Sequence, residues 1–236
     1  MRAGAALPLF YGFFRSFRAS DLLFPEPSSN CPQCPRLSDL RHMLRQSEPG
    51  WHNAPVPTFG DPLGRLLIVG LAPGVRGANR TGRPFTGDYA GDLLYETLGR
   101  FGFTQGTYAA QAQDGLALAE CAITNAVRCV PPQNKPTPDE INQCRPFLAQ
   151  TLSAMPRLTA LVALGRIAHE SVLRALGLKL KDFPFAHGAW HRLPDRNLSL
   201  FDSYHCSRYN TNTGKLTPDM FHTVFENVRG SLDAAA

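Results

Sequence analysis

Four short apolar runs, each followed by a loop and then a stretch with helical spacing, constrain this chain more than any other feature. RLLIVGL (65–71), CAITNAV (121–127), LTALVALG (158–165) and LSLFDSY (198–204) are continuous rather than alternating, as strands buried on both faces are. Between them, Asp88 stands as an N-cap before YAGDLLYETLGRFG, which carries Leu93, Leu94, Leu98 and Phe101 on its inner face. Thr137-Pro138-Asp139-Glu140 supplies a cap, a proline at the first helical position and a capping-box glutamate. After the third run Ile167, Ala168, Val172, Leu173 and Leu176 recur at helical spacing until Gly177. A polar segment with Trp190 leads into the fourth run, and Thr217-Pro218-Asp219 opens a last helix. This alternation predicts an α/β fold, a three-layer α/β/α sandwich around a central four-stranded parallel sheet. A single domain over 1–236 is expected, with residues 1–30 as an N-terminal extension.

Lys and Arg number 24 against 19 Asp and Glu, a formal charge of +5, which favours a polyanionic partner such as nucleic acid. The apolar start, Met1 to Phe14, is followed at once by Arg15 and Arg18 and lacks a small-x-small cleavage pattern. No stretch reaches the roughly 18–20 apolar residues that span a bilayer. The chain is therefore expected in the cytoplasm, where six cysteines argue for metal or redox use rather than disulfides. Cys31 and Cys34 form a C-x2-C pair, and Cys129 and Cys144 supply two more thiols from afar. Such a four-thiolate cage suits zinc or a [4Fe–4S] cluster, and spacing leaves both open. Cys121 lies inside a strand and Cys206 in a loop, so neither is counted as a ligand.

In open parallel sheets ligands sit at the carboxyl ends of the strands. Three segments converge there: GLAPGVRGANRTGRPFTGD (70–88), Asn125, and HCSRYNTNTGKLT (205–217). Taken singly each has an ordinary structural reading: a tight turn or phosphate loop, a strand-end amide, a core histidine. The glycine-rich loop is not a Walker motif, since no Gly-Lys-Ser/Thr follows, and no Gly-x-Ser-x-Gly elbow exists.

Together, GLAPG (70–74), GANRTGRPFTGD (77–88), Asn125 and HCSRYNTNTGKLT resemble the motifs of the type b (family 5) uracil-DNA glycosylases, and LGRIAHESVL (164–173) resembles a helix of the wider superfamily. The similarity runs from about Cys31 to Met220. It implies an enzyme that extrudes uracil from DNA and hydrolyses its N-glycosidic bond, leaving an abasic site. Phe85 matches the ring that stacks on the flipped base, Asn125 the amide that reads its Watson–Crick edge, and His205 the donor beside O2 of the leaving base. Gly70, Ala72 and Gly74 match the backbone of the first pocket loop. Relatives place a carboxylate inside that loop; here Leu71-Ala72 stand in its place, so catalysis is expected to lean on leaving-group stabilisation. Asn79 is the candidate water-positioner, and Asp88 is read as a helix cap. Activity on deaminated purines such as hypoxanthine is implied as well.

Most relatives read His-Pro-Ser in the final loop; Cys206 replaces the proline and weakens the case for a rigid turn. Ser207, Arg208 and Tyr209 are expected to face the DNA groove and phosphates, with Arg80 and Lys215 as further phosphate contacts. The resemblance favours a structural [4Fe–4S] cluster on Cys31, Cys34, Cys129 and Cys144. Duplex DNA is the expected partner, single strands remain open, and a monomer associated with the nucleoid is expected. Two other classes compete: a catalytically inactive iron–sulfur DNA-binding protein of the same fold, and a phosphate- or nucleotide-binding enzyme built on the glycine-rich loop.

Overall fold

The computed structural model describes residues 24–194 and 197–234. The apolar start and Arg15 and Arg18 lie outside the described residues, as does most of the expected N-terminal extension. Its described part is anchored: Glu26 accepts a 2.8 Å bond from the wholly buried Arg128 and another from the Thr58 backbone N–H.

The four apolar runs form the centre of one sheet: β2 (Leu66–Gly70), β5 (Cys121–Asn125), β6 (Ala160–Leu164) and β8 (Leu198–Ser203). All four run parallel, in the order β5-β2-β6-β8. The expected sheet gains two antiparallel edge strands, β1 (Phe59–Gly60) beside β5 and β7 (Trp190–Leu193) beside β8. Neither carries a continuous apolar run, because an edge strand needs to bury only part of its surface. A two-stranded hairpin, β3 (Thr104–Gln105) with β4 (Ala117–Leu118), stands apart from this sheet.

Strand side chains alternate between two helical layers. Leu66 and Ile68 of β2 join the core with Leu94 and Leu98 of α3 (Tyr89–Arg100) and with Phe221, Phe225 and Val228 of α7 (Pro218–Asp233). Leu67 and Val69 join Leu148 of α4 (Pro138–Ala154) and Val172 and Leu173 of α5 (Arg166–Ala175) on the opposite face. The helix starts follow the expected chemistry: Asp88 accepts from the Gly91 N–H, and Thr137 and Glu140 complete a capping box. Ile167, expected on the inner face of α5, is 41% exposed; the buried stripe runs through Ala168, Ser171 and Val172 instead. Three helices carried no clear apolar period and were not foreseen: α1 (Pro35–Ser47), α2 (Ala78–Thr81) and α6 (Arg208–Asn212). Among the described residues no helix is long and apolar enough to cross a membrane.

Candidate active site

Strand register sets the floor of the site. Gly70 pairs with Asn125 at the ends of β2 and β5, and Leu164 with Ser203 at the ends of β6 and β8. A cavity of about 410 Å³ opens directly beyond them. Ala72, Gly74, Phe85, Asn125 and His205 line it as expected, and Ser207 and Arg208 form part of its rim. Gly70 acts from beneath. A Cβ there would strike the Asn125 Oδ1 and stand 2.6 Å from Phe85 Cζ, so glycine alone lets ring and amide meet over the strand end.

Phe85 holds a left-handed backbone, φ +51°, which a bulky residue adopts only when its surroundings impose it. Those surroundings are visible. Tyr95 Oη donates to Pro84 O at 2.8 Å and Tyr108 Oη to Phe85 O at 3.3 Å. Arg83 donates from both terminal nitrogens to the two oxygens of Asp114, each at 2.7 Å, with both side chains buried. Its Nε donates to Thr86 Oγ1, and its guanidinium lies 5.2–5.7 Å from the ring centres of Phe59, Tyr95 and Tyr108. Hydrogen bonding from Arg83 holds the Asp114 carboxyl far below its usual range. The motif singled out Phe85, but this clamp was not read from it, since Asp114 lies 31 residues away.

Across the cavity the His205 ring centroid stands 5.9 Å from that of Phe85, tilted by 30°. Burial pushes its imidazole down to about 4, so near neutral pH it carries one N–H donor and no charge. The turn that carries it is held despite the absent proline. Burial keeps Cys206 a thiol, pushed up to about 12, and its Sγ donates to Ala90 O at 3.4 Å. Asn210 Nδ2 donates to His205 O at 2.8 Å, and His187 Nδ1 accepts the Tyr204 N–H at 3.1 Å.

Two expectations about polar groups change. Asn79 does not line the cavity: it is buried against Asn53, donating from Nδ2 to Asn53 Oδ1 at 2.9 Å, because the short helix α2 turns its side chain inward. A carboxylate does reach the pocket, although Leu71-Ala72 supply none. Asp88 caps α3 and also lines the cavity. Its Oδ1 accepts from the Gly91 N–H, while Oδ2 faces Gly74 and Gly77, where a Cβ on Gly77 would collide with it. Burial raises its carboxyl. The cap signal was legible, but its second role required knowing which glycines leave room. Tyr89 and Asn134 also line the cavity and carried no sequence signal; Asn134 sits in a left-handed turn, φ +56°.

Of the expected DNA-facing residues, Ser207 and Arg208 line the cavity rim, whereas Tyr209 and Lys215 lie outside its lining. Ser207 caps α6, accepting from the Asn210 N–H. Arg208 lies 5.2 Å over the Tyr89 ring, Tyr209 is 74% exposed, and Lys215 Nζ is 4.9 Å over the Tyr204 ring. Arg80 is exposed near Gly87, outside the cavity lining.

Cys31, Cys34, Cys129 and Cys144 line one small cavity beside α1 and α4. Burial is the main cause that pushes Cys34 up to about 11 and Cys129 up to about 12, so thiolates here would need a cationic centre to neutralise them. Arg128 N–H donates to Cys144 Sγ at 3.3 Å, and Arg41 Nη1 to Cys129 Sγ at 3.5 Å. Four thiols on one cavity are a donor set for zinc or for a larger, sulfur-bridged centre.

A pocket at the strand ends of a parallel α/β sheet, walled by a ring, an amide and an imidazole, defines a protein shaped to receive a flat, hydrogen-bonding heterocycle. The model of the uracil DNA glycosylase superfamily matches residues 57–229. A type-5 uracil-DNA glycosylase of Thermus thermophilus is 45% identical over 207 residues, covering 85% of this chain and 93% of that protein. One from Mycobacterium leprae is 41% identical over 210 residues, covering 85% and 91%. A type-4 uracil-DNA glycosylase of Pyrobaculum aerophilum is 31% identical over 180 residues, covering 75% and 77%. The chain belongs to the uracil DNA glycosylase superfamily and resembles its type-5 members over most of its length.

Proposed function

We propose that this chain is a monofunctional uracil-DNA glycosylase of base-excision repair. One observation carries the reading: the Asn125 amide is buried at the cavity floor beneath Phe85, and its Oδ1 has no hydrogen-bond partner. An unpaired buried acceptor costs about 1–3 kcal/mol. A flipped uracil relieves that cost by donating N3–H, while the amide NH2 donates to O4. Phe85 stacks on the base, and its imposed backbone means the stacking plate needs no rearrangement when the base arrives.

Cleavage of the glycosidic bond drives negative charge onto the leaving base. His205, neutral at working pH, donates its N–H to O2, an interaction stronger in the transition state than in the ground state. Asp88 replaces Asn79 as the group that holds the attacking water: it lines the cavity, its Oδ2 is free of the cap bond and faces Gly74 and Gly77, and its raised carboxyl makes it the better base. No lysine lines the cavity, which supports simple hydrolysis without strand cleavage. The cavity volume of about 410 Å³ also leaves room for deaminated purines such as hypoxanthine. Arg208 at the cavity rim, with Tyr209 and Lys215 near it in the chain, suits duplex phosphates and the gap left by the base.

Cys31, Cys34, Cys129 and Cys144 would hold a [4Fe–4S] cluster; their shared lining of one cavity and the N–H donors on two of the sulfurs support this. When bound, the cluster supplies a rigid cross-link between the N-terminal segment and the loop after β5. Iron and sulfide analysis of anaerobically purified protein tests it, and four-iron stoichiometry lost in Cys31→Ser is the expected result.

The activity is tested with duplexes that differ only in the lesion, at one salt concentration. Free uracil should appear, with strand breaks only after alkali. Breaks before alkali would exclude a monofunctional enzyme, and absence of any released base would remove the assignment.

A further inference from the structure

Behind the sheet, on the face away from the cavity, three side chains from three elements meet: His169 of α5, His191 of β7 and Asp202 of β8. One ligand atom from each lies within 4.8 Å of the others. Asp202 is fully buried, and only half of its carboxylate is satisfied. Oδ1 is 2.7 Å from His169 Nδ1, whereas Oδ2 has no hydrogen-bond partner and stands 3.4 Å from His191 Nε2, itself unpartnered. A buried carboxylate oxygen and a buried ring nitrogen facing each other without a bond are costly together.

We propose that His169, His191 and Asp202 form a structural site for a divalent transition metal of the zinc class. The other nitrogen of His169 supports this. Its Nε2 lies 2.9 Å from Phe183 O and donates to it, the outer-shell bond that characteristically orients a metal-binding imidazole and leaves Nδ1 as the ligand atom. Zinc held at 2.0–2.2 Å from nitrogen and oxygen places neighbouring ligand atoms about 3.3 Å apart. With the unpartnered Oδ2 as the Asp202 ligand atom, its 3.4 Å separation from His191 Nε2 already matches. As the ion enters, the hydrogen shared between His169 Nδ1 and Asp202 Oδ1 leaves to solvent as a proton, with no change of oxidation state. Phe183 and Phe185 pack edge-on against the two imidazoles and cover the site, and a water would complete the fourth position. Two imidazoles and a carboxylate favour zinc or cobalt over calcium or magnesium.

The test uses the full chain, stripped with chelator, returned to a slight excess of Zn²⁺ and desalted. Because the four cysteines also bind metal, the reading is a difference between variants. Wild type should keep one zinc equivalent more than His191→Ala or His191→Gln, and should gain several degrees in Tm on zinc addition that both variants lack. Co²⁺ should produce a visible band in wild type, without sulfur-to-cobalt charge transfer, that disappears in both variants. Equal zinc content in all three proteins and no zinc-dependent Tm shift in wild type would overturn the proposal and leave a hydrogen-bonded core pair.

Discussion

The wall that carries Phe85 and the wall that carries His205 face each other across one pocket but are built by different means. The first is locked by a buried bidentate ion pair, two tyrosine hydroxyls and a stack of rings around one guanidinium. The second is tied at its root by Cys206, Asn210 and His187, while its outer part, Arg208 to Lys215, is largely exposed and touches its surroundings through cation–π contacts. Under the proposed function, a plate that receives a flipped base gains from being fixed before binding. An exposed rim that meets DNA gains from side chains free to adjust.

The contrast is broken most directly at Arg83. Arg83→Ala leaves the buried Asp114 carboxylate with only the Ala109 and Leu116 N–H bonds and should cost about 3 kcal/mol, read as a lower denaturant midpoint. A loss below about 1 kcal/mol would mean that the first wall is not locked by this pair. His205→Ala should lower the single-turnover rate of uracil release on the order of 10²–10³-fold with the unfolding midpoint nearly unchanged. Retained rates would remove the imidazole from the chemistry.

Asp88 sharpens the comparison because it belongs to both worlds, cap and cavity. Asn is as good a cap as Asp, so Asp88→Asn should keep stability while the rate falls on the order of 10²-fold; Asp88→Ala should add a loss of about 1 kcal/mol. The pH profile separates the two groups. His205 stays neutral down to about 4, whereas burial raises the Asp88 carboxyl, so its working carboxylate is lost as pH falls through a value above the usual aspartate range. Any acidic fall in rate well above pH 4 belongs to Asp88 and should flatten in Asp88→Asn. The smallest effect is expected at the rim: Arg208→Ala should change stability by less than about 0.5 kcal/mol and reduce the salt slope of DNA binding by about one.

The central strands and the capped helices were legible because their signals are local: a run of apolar residues, or a threonine three positions before a glutamate. Phe85, Asn125 and His205 were legible through long motifs. The edge strands were not, since Phe59–Gly60 and Trp190–Leu193 carry no apolar run. Nor were the pairings that fix the site, because Arg83 with Asp114 and His169 with Asp202 are separated by 31 and 33 residues and become neighbours only when the sheet assembles. Asn79 was misplaced for the same reason: proximity along a motif does not say which side of a short helix faces the pocket.

Gly70 limits how this pocket can change. Any side chain at that position would displace the ring or the amide that meet above it, so the floor and the aromatic plate cannot be remodelled one residue at a time. The exposed rim, where Tyr89, Asn134 and Arg208 line the cavity, is the part of the pocket that a single substitution can reshape without moving ring or amide.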